Sequence, residues 1–283
     1  MSMKNAANSP DSSNTVRVVI VDDSSMTRWL MKQILNRDPG IRVVGMAADA
    51  SEARQLIKEL DPDVITLDVE MPGVNGIDFL RNLMRARPMP VVMVSSLTQR
   101  GAQVTLDALS LGAVDFVSKP RTVVSPESLA DYSAELIEKV KVASSARVQT
   151  PTQETINRVA EKAGAAPVSS ANDDTPLSQE IIAFGASTGG TEALFEILRE
   201  LPADGPGIVI VQHISDAFNE PFAQRLDRGT RLKVCSPVQD EPIRRGHAYV
   251  APAGQHMQIA RFADGYACKL IDDRPVHFQK PSV

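Results

Sequence analysis

The chain has 283 residues, 43% of them apolar, a formal net charge of −5 and two cysteines. That length accommodates two ordinary domains with sizeable cores, and an acidic balance without a long basic run argues against nucleic acid as the main partner. Cys235 and Cys268 lack metal-type spacing and read as reduced structural thiols. No apolar run approaches the ~20 residues of a membrane span. The polar start lacks the apolar core of a secretory signal. The sequence therefore reads as a cytosolic protein with no membrane insertion, opening on a disordered arm over 1–15.

From Val16 short apolar runs alternate with helical spacing. VRVVIV predicts a strand, Ser24 a cap, and Met26, Leu30 and Ile34 a helix that DPG at 38–40 interrupts. IRVVGMAA is a second strand, and Ala53, Leu56, Ile57 and Leu60 mark a second helix. DVITLDV and GIDFLRNLMRA follow as strand and helix, then PVVMVSS and AQVTLDALSLG. AVDFVSK is a fifth strand, closed by Pro120, and 128–142 a fifth helix. Five strand–helix repeats imply a parallel sheet with helices on both faces. Composition then shifts to Ala, Ser, Thr, Pro and Asn, which predicts a linker over 144–179 with one weak helical patch, QETINRVAEKA. From Glu180, IIAFGAS, TEALFEILREL and GIVIVQH form a strand–helix–strand unit, followed by a short helix, EPFAQRLDR. LKVCS, GHAYVAP, HMQIAR and YACKLI read as short strands of a strand-rich insertion.

In such a sheet the strand C-termini share one edge, where ligands bind. Asp22 and Asp23 end the first strand and Asp68 the third. Three converging carboxylates need a cation, and hard oxygen donors suit magnesium. A carboxylate kept ionised there can attack a phosphoryl group. Ser95 ends the fourth strand and offers a hydroxyl; Lys119 ends the fifth and brings a mobile positive charge.

VVIVDDSS, LDVEMPGVNG, MVSS and DFVSKP resemble the receiver domain of two-component response regulators, from about Val16 to Lys139. The resemblance implies a flavodoxin-like fold over 16–143, with Asp68 as phospho-acceptor and Asp22 in the acidic pocket. It implies that Asp23, Asp68 and the Glu70 carbonyl hold Mg2+, that Ser95 and Phe116 are switch residues beside Lys119, and that the Lys119–Pro120 bond is cis. The implied phospho-donor is a histidine kinase.

GASTGG places Ser187 at the centre of G-x-S-x-G between a strand and a helix, the context of a nucleophile elbow. The glycines permit a sharp turn, and the following helix start offers N–H groups to an oxyanion. A serine needs a base, and His213 ends the next parallel strand on the same edge. A plain tight turn and a Rossmann-like phosphate loop stand as other readings; against the latter, a serine replaces the glycine and a histidine the acid. His256 reads equally as a pocket residue or a turn histidine, and His247 and His277 as structural or solvated.

A receiver, a linker, then IAFGASTGGTEAL, IVIVQHI, GHAYVAPAGQHM and KPSV resemble the chemotaxis-specific methylesterases (CheB-type) over nearly the whole chain. The implied second domain, 180–283, is part of a doubly wound α/β methylesterase fold. The implied roles are nucleophile for Ser187, general base for His213 and a place beside the pocket for Thr188. The implied reaction hydrolyses glutamate methyl esters on the cytoplasmic helices of chemoreceptors, releasing methanol, and deamidates glutamines, with the unphosphorylated receiver covering the cleft. In the family a triad aspartate lies beyond the segment that resembles KPSV, so the chain reads as C-terminally shortened, and neither Asp272 nor Asp273 matches that position. The rival expectation is a phospho-accepting interaction protein with a catalytically dead esterase half. A DNA-binding regulator is a distant third, because the C-terminal half is β-rich.

Overall fold

A computed structural model of the chain describes residues 15–96, 99–119, 126–148, 175–262, 264–276 and 280–282. The first domain alternates β1 (Val16–Val21), α1 (Ser25–Leu35), β2 (Ile41–Ala47), α2 (Ala50–Leu60), β3 (Val64–Asp68) and α3 (Gly76–Ala86). It continues with β4 (Val91–Ser95), α4 (Gln99–Ser110), β5 (Asp115–Ser118) and α5 (Pro126–Ser144). The strands pair in parallel in the order β2-β1-β3-β4-β5, the flavodoxin-like arrangement expected. Alternate residues of β1 face opposite layers: Val18 and Ile20 belong to the apolar layer that includes α1 and α5, Val19 and Val21 to the one that includes α2, α3 and α4. Ser24 caps α1 by accepting from the Thr27 N–H at 3.3 Å, as its position predicts. The Lys119–Pro120 bond lies outside the described residues, as does the helical patch over 153–163.

The second domain runs β6 (Ile181–Ala186), α6 (Gly190–Glu200), β7 (Gly207–Gln212), α7 (Asp216–Gly229), β8 (Lys233–Cys235), β9 (Glu241–Pro242), β10 (His247–Val250), β11 (His256–Phe262) and β12 (Gly265–Ile271). β6-β7-β10-β8 form a parallel sheet, and β11-β12-β9 an antiparallel one. The short strands expected as one insertion thus divide between two sheets. The predicted short helix is longer, because Phe218, Phe222 and Leu226 recur every fourth residue and are all fully buried.

Residues 175–179, expected in the linker, pack onto this domain. Leu177 bridges to Arg244, and the buried Ser178 hydroxyl accepts from the Gly207 N–H at 2.8 Å and donates to Glu180 O at 2.5 Å. Those contacts satisfy buried backbone at the sheet margin, which composition along the chain does not reveal.

The two domains share a core. The apolar layer under α4 continues through Phe116 to Leu194, Phe195, Phe218, Phe222 and Leu226. Phe116 and Phe218 pack with ring centroids 4.3 Å apart and planes tilted by 34°. Around this contact Arg225 donates to Ser110 Oγ at 2.6 Å and to Glu192 at 2.5 Å, and Arg228 to Gln103 Oε1 at 2.8 Å. Among the described residues no helix is long and apolar enough to cross a membrane.

Candidate functional site

At the C-terminal edge of the first sheet, Asp22, Asp23 and Asp68 present carboxylate oxygens within 4.8 Å of one another. Asp22 and Asp68 are fully buried and Asp23 is exposed. Lys119 Nζ lies 2.7 Å from Asp68 Oδ2 and 3.2 Å from Asp22 Oδ2. The Glu70 N–H donates to Asp68 Oδ1 at 3.0 Å. Burial pushes the Asp68 carboxyl up to about 6, against the lowering by the Lys119 and Glu70 hydrogen bonds. Burial raises Asp22 too, with Lys119 opposing it. Crowded carboxylates with one open, solvent-facing member are a donor set that fits a hard divalent cation. Ser95 is buried at the neighbouring strand end, its hydroxyl donating to Ser96 O at 3.3 Å. The Lys119 N–H donates to Ser95 O at 2.6 Å, and Phe116 is buried on the same strand.

In the second domain β6 and β7 are direct neighbours, with Ala186 opposite Gln212. Pairing runs one residue further, since the His213 N–H donates to Ala186 O at 3.1 Å. Ser187 and His213 therefore leave adjacent strand ends on one edge, and Ser187 Oγ is 3.3 Å from His213 Nδ1. Gly189 caps α6 in the left-handed region, φ +76°, which turns the chain sharply after Ser187. Gly190 admits no side chain: a Cβ there would collide with Gln212 Oε1 and Ala186 Cβ. The start of α6 brings its first N–H groups and the positive end of its dipole to the turn, the Gly190 N–H donating to Ser187 O at 2.8 Å.

Burial lowers the His213 pKa from its ordinary value; the Glu138 carboxylate opposes that and Lys139 adds to it. An imidazole held neutral can accept the serine proton. With Nδ1 toward Ser187, the neutral base carries its proton on Nε2, which is buried without a hydrogen-bond partner among the described residues. The Thr188 and Thr191 hydroxyls beside the turn are likewise buried and unpaired. His256 is not part of this cluster: its Nε2 donates to Arg274 O at 3.1 Å and its Nδ1 accepts from the Ser282 N–H at 3.3 Å. His247 is buried with Nδ1 2.9 Å from Arg245 O, the structural role expected, and His277 lies outside the described residues.

The first domain reaches this cluster. Asp115, 4% exposed, receives the Gly189 N–H on Oδ2 at 3.3 Å and the Phe116 N–H on Oδ1 at 2.7 Å. Lys139 Nζ lies 3.5 Å from Asp115 and 2.9 Å from Glu135, and donates to Phe116 O at 2.6 Å. Ser118 Oγ meets Ser215 Oγ at 3.1 Å. Sequence reasoning missed Asp115, Lys139 and Phe218. A charged residue inside the apolar strand AVDFVSK was the available signal for Asp115.

The layout is that of a receiver-regulated serine hydrolase, in which the regulatory strand β5 abuts the turn that carries the candidate nucleophile. The family described as response regulator receiver domain matches residues 18–129, and the family described as CheB methylesterase matches 182–283. A protein-glutamate methylesterase/protein-glutamine glutaminase of Xanthomonas campestris pv. campestris is 48% identical over 268 residues, covering 95% of this chain and 75% of that protein. One from Hydrogenovibrio crunogenus is 42% identical over 291 residues, covering 95% and 77%. Among solved structures, the response regulator domain of Thermotoga maritima CheB is 44% identical, covering 47% of this chain and 98% of its own, with a TM-score of 0.43. The catalytic domain of Thermotoga maritima CheB methylesterase is 30% identical, covering 37% and 56%, with a TM-score of 0.36. The chain belongs to the protein-glutamate methylesterase/protein-glutamine glutaminase family.

Proposed function

We propose that the protein is a phosphorylation-activated chemotaxis methylesterase. It hydrolyses glutamate methyl esters, and deamidates glutamines, on the cytoplasmic parts of chemoreceptors, and works in the cytoplasm. The observation that carries the reading is the Ser187–His213 contact at 3.3 Å, on adjacent parallel strand ends beside a helix N-terminus. His213 Nδ1 takes the hydroxyl proton as Ser187 Oγ bonds to the ester carbonyl carbon. The N–H groups at the start of α6 receive the oxyanion. His213 returns the proton to the departing methanol oxygen, leaving an acyl ester on Ser187. Water then gives a proton to His213 and attacks that ester; His213 passes the proton to the departing Ser187 Oγ, and the glutamate carboxyl is released. With glutamine the leaving group is ammonia.

Asp68 accepts the phosphoryl group from a chemotaxis histidine kinase. Asp23, Asp68 and the Glu70 carbonyl would hold Mg2+, which compensates the phosphoryl charge when bound. In the unphosphorylated protein Lys119 is held by Asp68 and Asp22, and its backbone by Ser95. A phosphoryl group on Asp68 gives Lys119 and Ser95 new partners and shifts the end of β5. That strand carries Phe116 and Asp115, which grip Phe218 and the Gly189 N–H. Loss of that grip opens the cleft. We place the domain boundaries at 16–143 for the receiver and, given the packing of 175–179, near Thr175 for the esterase.

A second reading is a phospho-accepting interaction protein with a silent esterase half; among the described residues His213 Nε2 has no hydrogen-bond partner. One experiment separates the two: methanol release from methylated receptor, with magnesium and a small phospho-donor, while phosphate uptake is followed. The methylesterase reading expects phosphate on Asp68 and methanol release that Ser187→Ala abolishes without affecting phosphate uptake. Phosphate uptake without methanol establishes the second reading.

A further inference from the structure

Gln212 ends β7 one residue before His213 and is 2% exposed. A buried primary amide is costly unless its polar groups find partners. Its Nε2 donates to Ser187 O at 2.9 Å and to His213 O at 3.3 Å. The amide cannot turn over, since Oε1 would then face two carbonyl oxygens. Oε1, which has no hydrogen-bond partner among the described residues, lies against Gly190, in the space a Cβ there would fill.

We infer that Gln212 is a positioning residue for the esterase reaction, its amide tying together the backbone carbonyls of Ser187 and His213. The inference rests on those two residues being the reacting pair. The need for such a tie follows from the local chain. β6 is an edge strand, with Ala183 and Gly185 exposed, and two glycines follow the serine turn. The Ser187 carbonyl already accepts from the Gly190 N–H at 2.8 Å, and Gln212 occupies its other lone pair. At 3.3 Å the Ser187–His213 contact is near the limit of a useful hydrogen bond, so a small displacement of the turn breaks it. The requirement for glycine at 190 has the same origin: the amide that holds the turn needs the space beside it.

Gln212→Met keeps the length and removes both donors. Gln212→Glu keeps the shape, but ionised it sets a carboxylate against two carbonyls. Methanol release by the phosphorylated full chain is measured as kcat and KM, per Ser187 titrated to completion with a serine-directed phosphonate. Gln212→Met should lower kcat about 10- to 100-fold with KM within about twofold, the signature of misaligned reacting groups. Gln212→Glu should lose activity as pH rises and its carboxyl ionises against the two carbonyls, opposite to the wild type, whose rate rises with pH as His213 gains its neutral form. Wild-type kcat in Gln212→Met, or a wild-type pH profile in Gln212→Glu, overturns the inference; the second variant decides if the first does not fold. Ser187→Ala is run in parallel. Methanol release by it refutes the assignment of Ser187, whereas a silent Ser187→Ala beside an unaffected Gln212→Met refutes the role of Gln212 alone.

Discussion

The contact of Asp115 with the Gly189 N–H makes a quantitative statement about the gate. It puts a receiver carboxylate on the helix start that would receive the oxyanion, so the closed state occupies part of the catalytic apparatus. Asp115→Asn preserves shape and removes the charge. With its Oδ1 on the Phe116 N–H, the new NH2 faces the Gly189 N–H, donor against donor; turned over, it faces the Phe116 N–H instead. Lys139 remains satisfied by Glu135 at 2.9 Å and Phe116 O at 2.6 Å, so no buried cation is stranded. A hydrogen bond to a charged group contributes about 1.5–3 kcal/mol, and at this length the lower end applies. About 1.5 kcal/mol is roughly a tenfold shift in the closed-to-open ratio. The assay is methanol release without phospho-donor, then with it. Basal rate should rise about tenfold while the phosphorylated rate stays constant, so the activation ratio shrinks by the same factor. An unchanged or lower basal rate, with normal phosphate uptake at Asp68, would refute the reasoning.

Two further outcomes follow from the same geometry. The His213 imidazole, followed by NMR in the unphosphorylated protein, should titrate below the ordinary value of 6.5, because burial disfavours its charged form. Glu138→Gln removes a carboxylate that favours the imidazolium and should move the midpoint lower still; a midpoint at or above the ordinary value contradicts the account. Gly190→Ala forces a methyl group against Gln212 Oε1 and Ala186 Cβ, and should lower stability by about 1–3 kcal/mol in a urea melt and also reduce methanol release. Unchanged stability would show that the turn relaxes freely.

Much of the molecule was legible in its sequence because the constraints involved are local. The short apolar run VRVVIV, helical spacing in α1 and a serine before it are set by geometry over a few residues, and the first domain matches them closely. A parallel α/β order also sends strand ends to one edge, so Asp22, Asp68 and Lys119 could be gathered from their positions alone. Ser187 and His213 were legible for the same reason, as two successive strand ends. Distance along the chain carried no such information for the rest. Asp115 meets Gly189 across 74 positions, and Phe116 meets Phe218 across the domain boundary. The length of α7, the burial of Ser178 and the role of the Gln212 amide depend equally on what packs against them. Composition and periodicity thus determined two α/β domains and the residue types at their edges. Only the tertiary structure decided that one domain closes on the other's nucleophile, because that contact depends on the complementary shape and charge of surfaces that each domain forms only once folded.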